Sequence, residues 1–307
     1  LYRKIYQADG LLLLTAFIWG SAFVAQRVGM SHVGPLTFNG IRFALGALVL
    51  SPLARRVTDP VRSFQRIPQG MHGRPFLGGG CLAGGVLFMA ATLQQVGLVY
   101  TTAGKAGFIT GLYVIIVPLM GLLLGQRLGW GGWVGAILAA WGLYLLSVTE
   151  SLTFAPGDLW VLGGAFFWAV HFHILGWLSP RLNGIRLARS QFVTCAFLSL
   201  AGAILTEEIT PSGLQGAAVP ILYGGVLSVG VAYTLQVVAQ RHTPPAHAAI
   251  ILSLEAVFAA LAGWVVLEEV LALRSLIGCG LMLVGMLLAQ LKGRPRVRTA
   301  PIRDKEA

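Results

Sequence analysis

The chain alternates long apolar runs with short polar connections. A helix needs about 20 mainly apolar residues to cross a hydrocarbon core of about 30 Å. Ten segments meet that requirement, near 10-28, 35-54, 76-99, 103-125, 130-149, 158-179, 188-206, 215-239, 245-267 and 271-291, which leaves no room for a soluble domain. The first run has no small-residue cleavage site behind it and is one of many, so it reads as a retained span rather than a removed signal. Most connections are short, and helices adjacent in sequence are therefore tightly tethered.

Composition agrees with this pattern. Hydrophobic residues make up 56% of the 307 and charged residues 11%, against roughly a quarter charged in an ordinary soluble domain. Disorder requires low hydrophobicity and high charge, and collagen a strict glycine period, so the 40 glycines imply neither. Pairs such as Gly107/Gly111, Gly121/Gly125 and Gly131/Gly135 put small residues on one helix face, where membrane helices approach closely. A net charge of +11 is compatible with nucleic acid. Here, however, the basic residues sit in clusters between apolar runs rather than along one face, so the expected partner is the lipid bilayer and not nucleic acid.

The clusters instead set the topology, because Lys and Arg in short loops stay cytoplasmic. One side of the membrane receives Arg3 and Lys4, five arginines between Arg55 and Arg74, Arg127, the trio Arg181, Arg186 and Arg189, then Arg241 and the six basic residues from Lys292 to Lys305. Together they are 18 of the 22 basic residues. The other side receives Glu150, Asp158, Glu207, Glu208, Glu268 and Glu269. Both tails, 1-9 and the basic 292-307, are thus placed in the cytoplasm of a bacterial inner membrane.

The two halves of the chain repeat one another. Ala16-Phe17-Ile18-Trp19 followed by Phe23 aligns with Ala165-Phe166-Phe167-Trp168 followed by Phe172, and Thr92-Leu93-Gln94 with Thr234-Leu235-Gln236. Gly121 aligns with Gly263, and Gly135 with Gly278 after a one-residue gap. With five spans in each half, 10-149 and 158-291, the second half must be inverted relative to the first. Inverted repeats place a transporter's substrate site near the midplane between the halves. Ala16-Phe-Ile-Trp-Gly-Ser21, Phe38-Asn-Gly-Ile-Arg42-Phe43 and Leu252-Ser-Leu-Glu255-Ala-Val-Phe-Ala-Ala-Leu261, ending at Leu267-Glu-Glu269, resemble the drug/metabolite transporter superfamily in its ten-span form with paired EamA domains. The resemblance implies an all-α integral membrane fold of two inverted five-helix repeats. It extends to the bacterial aromatic amino-acid exporter type. Two positions depart from the family's pattern: Gln126 stands where a glutamate usually closes span 4, and Ala256 where a proline usually follows the span 9 glutamate.

No phosphate-cradling Gly-x-x-x-x-Gly-Lys-Ser/Thr run is present, so ATP-driven transport by this chain is not expected. Cys81, Cys195 and Cys279 lie far apart in apolar runs and read as inert, buried thiols. His171 and His173, two positions apart on a helix, point to nearly opposite faces and do not converge on a metal. His242 and His247 flank Pro244-Pro245 at a solvated turn. No nucleophile paired with a base lies at depth, so an enzyme is not expected, and neither is a cofactor.

Ionisable residues within spans are the informative exceptions, because an intramembrane charge costs at least a few kcal/mol unless paired or wet. Arg42 is read first as paired with backbone carbonyls and second as a substrate contact. Glu255, near midplane, serves either a proton or substrate amine or simply a neighbouring helix. Thr15, Trp19 and Gln26 share a stripe on span 1, and Trp168, His171 and Phe172 share one on span 6. Gln94 and Gln95 on span 3, Thr110 and Tyr113 on span 4, and Tyr233 and Gln236 on span 8 add polar groups. From these, Trp19, Gln94, Tyr113, Trp168, His171, Tyr233 and Gln236 are expected to bind substrate.

The expectation is a secondary transporter that exports small metabolites, amino acids including aromatic ones above all. The alternatives are an exporter of drugs or amphipathic cations, with Glu255 as counter-ion, and an uncoupled facilitator. The topology yields a direct test. In a background with the three native cysteines replaced, cysteine at Ser151 should react with an impermeant thiol reagent applied from outside intact cells, whereas cysteine at Ser63 should not. Equal labelling would refute the orientation.

Overall fold

The computed structural model describes residues 2–56, 74–101, 103–126, 128–147, 156–267 and 272–292. Residues 57–73 of the expected long loop, 148–155, Glu268 and Glu269, and 293–307 of the basic tail lie outside them. Every regular element among the described residues is helical. The first half contains α1 (Tyr2–Met30), α2 (Pro35–Arg56), α3 (Arg74–Tyr100), α4 (Ala103–Gly111), α5 (Tyr113–Leu123) and α6 (Trp130–Ser147). In the second half α7 (Pro156–Leu178) and α8 (Gly184–Thr206) precede a compound span. That span runs through α9 (Pro211–Gly216), α10 (Ala218–Leu222), a π-helix (Tyr223–Tyr233) and α11 (Thr234–Ala239). α12 (Pro245–Leu252), α13 (Glu255–Leu267) and α14 (Leu273–Lys292) complete the bundle.

Seven of these helical stretches are long and apolar enough to cross a membrane, accompanied by the shorter apolar helices Trp130–Leu146, Pro245–Leu261 and Leu273–Ala289. Large apolar side chains such as Leu48, Trp141, Phe197 and Leu205 stand exposed on the outer faces, where lipid replaces water. Most of the expected tail at 1-9 is helical, since α1 begins at Tyr2 and continues unbroken to Met30.

Two more of the expected spans are interrupted. In the expected fourth, a turn at Leu112 separates α4 from α5, and within α5 Pro118 offers no N–H to the carbonyl of Val114. The ninth is broken at Ser253 and Leu254, where the Ser253 hydroxyl turns back to the Ile250 carbonyl at 2.8 Å. Glu255 therefore opens α13, a position where the partial positive charge of the helix N-terminus favours a carboxylate.

The most extensive pairings are α6 with α14, α3 with α7 and α2 with α8. α6 and α14 meet backbone to backbone: a Cβ at Gly142 would lie 2.5 Å from the Gly278 carbonyl, and one at Gly278 would lie 2.5 Å from that of Gly142. Gly135 and Gly285 repeat the reciprocal contact at 2.5 and 2.6 Å. Of the expected glycine faces, Gly121/Gly125 is not one. α5 ends at Leu123, and Gly125 adopts φ +73 in the turn that follows, a common use of glycine after a helix.

α2 and α8 are fastened at both ends. The Glu207 carboxylate, just past α8, accepts from Leu36 N at 2.7 Å, Thr37 N at 2.8 Å and the Thr37 hydroxyl at 2.7 Å. It thereby satisfies otherwise unpaired donors at the start of α2. At the other end Arg189 Nε donates to Ser51 Oγ at 2.9 Å, and Arg186 Nε donates to the Ala54 carbonyl at 3.4 Å. His247, read as part of a solvated turn, instead meets Asp9 of α1 at 3.2 Å. Of the three thiols expected to be buried, Cys195 and Cys279 are, whereas Cys81 on α3 is exposed.

Gly142→Ala should destabilise the bundle by about 1–3 kcal/mol, because its Cβ can be accommodated only if α6 and α14 separate. Gly280→Ala, with nothing within 4 Å of its Cβ, should be neutral or slightly stabilising. Thermal unfolding in detergent checks the contrast, and equal melting temperatures would contradict it.

Candidate functional site

The interrupted helices and the π-helix line a partly open cavity of about 480 Å³ in the middle of the bundle.

One wall is aromatic and centred on Tyr233. Its ring lies 4.5 Å from that of Trp19, 5.9 Å from that of Trp168, stacked at 22°, and 5.8 Å from that of Phe43. The indole N–H groups are both committed. Trp168 Nε1 donates to Gln94 Oε1 at 3.0 Å, and Trp19 Nε1 donates to the Ser228 carbonyl at 3.3 Å. Ser228 sits in the π-helix, where the wider turn disturbs the usual α-ladder, a feature frequent at functional sites. Beside Trp19, Gly20 lets α13 approach, since a Cβ there would lie 2.5 Å from the Glu255 carbonyl.

The opposing set joins the two interrupted spans. Tyr113, the first residue after the break in the fourth span, donates its hydroxyl to Glu255 Oε1 at 3.0 Å, and its ring lies 5.2 Å from that of Phe172. Gln236 Oε1 and Thr110 Oγ1, from two cavity-lining residues, are buried without a hydrogen-bond partner among the described residues.

Arg42 lines the same cavity at 3% exposure. The expected backbone carbonyl pairing is absent: among the described residues its guanidinium forms neither a hydrogen bond nor an ion pair, and Nε is enclosed without an acceptor. What it has is the rings of Phe38 and Phe43, whose centroids lie 5.4 and 5.1 Å from Cζ. Such contacts contribute about 0.5–2 kcal/mol. The effective cost of a buried ion is several kcal/mol, so the rings alone do not balance the charge.

Six of the residues expected to bind substrate, Trp19, Gln94, Tyr113, Trp168, Tyr233 and Gln236, are brought to one cavity with Arg42 and Glu255. His171 is not among its lining residues. Three positions on from Trp168 the helix face has turned by about 60°, and the imidazole meets Gln191 Oε1 of α8 at 3.0 Å. His173 turns another way, to the Val117 carbonyl at 2.9 Å and Gln126 Nε2 at 3.4 Å. Thr15 and Gln95 also lie outside the lining, and Thr15 is buried against the π-helix carbonyl of Ala232. Ser228 lines the cavity and was not singled out from the sequence. Its only signal there is a lone hydroxyl in an apolar, glycine-rich run, and its contribution to Trp19 is a backbone carbonyl that any residue supplies.

Trp168→Phe keeps a ring in the stack but leaves Gln94 Oε1 without its donor, which should cost about 1–3 kcal/mol. Gln94→Leu in that background should recover part of the loss. A double-mutant cycle on unfolding measures the coupling, and strict additivity would show that the bond contributes nothing.

The EamA-like transporter family matches residues 7–148 and 155–291. An uncharacterized transporter of Archaeoglobus fulgidus is 31% identical over 294 residues, covering 94% of this chain and 87% of its own. A probable terminal-alkyne amino-acid exporter of Streptantibioticus cattleyicolor is 24% identical over 309 residues, with 97% and 99% covered. A solved crystal structure shares the fold at a TM-score of 0.76 with 21% identity, covering 93% of this chain and 97% of that one.

Proposed function

Because the chain belongs to the EamA-like transporter family, we propose that it is a secondary exporter of amino acids, aromatic ones included, in a bacterial inner membrane. In this reading ten spans form two inverted five-helix repeats with both termini cytoplasmic, and the central cavity is reached alternately from the two sides. The observation that carries the reading is the cavity itself. Trp19 from the first half and Trp168 from the second flank Tyr233, and the same space holds both a buried cation and a buried carboxylate. A site for a small amphiphile needs apolar and aromatic walls with a few placed polar groups. A relative described as a probable terminal-alkyne amino-acid exporter supports the substrate class.

An exporter of amphipathic cations draws support from Glu255 among aromatic rings. Arg42, buried in the lining of the same cavity, opposes it, since like charges repel.

Counterflow into liposomes containing the purified protein tests the proposal. Labelled phenylalanine should accumulate, with little accumulation of a quaternary ammonium ion or a nucleoside. Trp19→Ala and Trp168→Ala should each reduce phenylalanine counterflow by about tenfold or more, the effect of losing a buried aromatic contact of at least 1.4 kcal/mol, while expression changes far less. Accumulation of the cation instead of the amino acid would refute the proposal.

A further inference from the structure

Of the two charged groups that line the cavity, Arg42 is the one with neither a hydrogen bond nor an ion pair among the described residues. A guanidinium stays protonated in proteins, and its planar fork matches a carboxylate with two parallel hydrogen bonds. The residue is buried, lines the cavity and has no acceptor among the described residues. Glu255 lines the same cavity without forming an ion pair with it. Tyr113 occupies Glu255 Oε1, and Oε2 receives no hydrogen bond from a described residue. The two charges are kept apart within one space, each with capacity for a further partner.

We propose that Arg42 is the receptor for a substrate carboxylate and that Glu255 meets the ammonium of the same molecule, so that the cavity selects zwitterionic α-amino acids. This rests on the reading of the cavity as an amino-acid site and adds which residue holds which end. Separation of the charges is what makes the arrangement selective. Had Arg42 and Glu255 paired with each other, a substrate would have to break that pair before binding. Held apart, they are matched by a molecule carrying both signs, and a molecule carrying one sign leaves the other charge buried and unanswered. The rings of Trp19, Tyr233 and Trp168 provide the apolar surface for the side chain.

Three probes separate the ends of the substrate: L-phenylalanine, L-phenylalaninamide, which lacks the carboxylate, and N-acetyl-L-phenylalanine, which lacks the ammonium. In proteoliposome counterflow the wild type should favour phenylalanine over either derivative by about 10- to 100-fold in apparent KM, the value of a charge-assisted hydrogen bond. Arg42→Gln should raise the KM for phenylalanine by a similar factor and leave that for the amide within about twofold. Arg42→Lys, which keeps the charge and loses the fork, should fall between them. Glu255→Gln should mirror this, weakening phenylalanine and sparing the N-acetyl derivative. Wild-type transport of the amide as efficient as that of phenylalanine, or equal weakening of both by Arg42→Gln, would overturn the assignment.

A measurement on the unmodified protein covers variants that do not fold. Phenylalanine should raise its melting temperature in detergent while neither derivative does so, and stabilisation by the amide equal to that by phenylalanine would overturn the assignment. Failure of every amino acid to move while a quaternary ammonium ion does would refute the amino-acid reading itself. Transport of amino acids without discrimination at the carboxylate would sink only the role given to Arg42.

Discussion

The hydrogen bond from Tyr113 to Glu255 joins two points at which the helical ladder of a span is interrupted. Backbone groups freed inside a membrane bundle find no water, so such interruptions are tolerated only where protein or a wet cavity satisfies them. Here both breaks border the cavity, and each delivers a polar side chain at the break itself. Tyr113 follows Leu112, and Glu255 follows Leu254. A carboxylate opening a helix is stabilised by the helix N-terminus and, in this bundle, by a phenol from the other half of the chain. The interruption of the spans and the chemistry of the cavity are thus one feature.

That meeting depends on close approach elsewhere. Gly20 lets α1 press against the start of α13, which carries Trp19 and Glu255 to the same space. The reciprocal glycine contacts of α6 and α14 bring two backbones together at the far side of α5 and α12. Membrane helices lack a hydrophobic driving force for association and rely on such packing. α2 is held differently, by the Glu207 carboxylate at its first turn and by arginines of α8 near its last. This fixes the helix that carries Arg42 into the bundle.

The sequence by itself determined that the chain is a multi-pass membrane protein, because only length and apolarity are needed to predict a span, and charge counts alone give an orientation to test. It also identified most of the residues that reach the cavity. Trp19, Trp168, Glu255 and Arg42 are conspicuous in apolar runs, where a large polar-edged ring or a charge is costly without a purpose. The sequence did not determine which way a side chain turns once there. His171 shares a helical stripe with Trp168 yet meets α8, because a 60° difference in direction is decided by which helix lies alongside. It assigned Glu207 to a loop, and only the packing of α8 on α2 makes that carboxylate a cap. It favoured carbonyl partners for Arg42. Whether a buried charge is answered depends on atoms brought from other helices, and tertiary structure alone shows that no described residue supplies the answer.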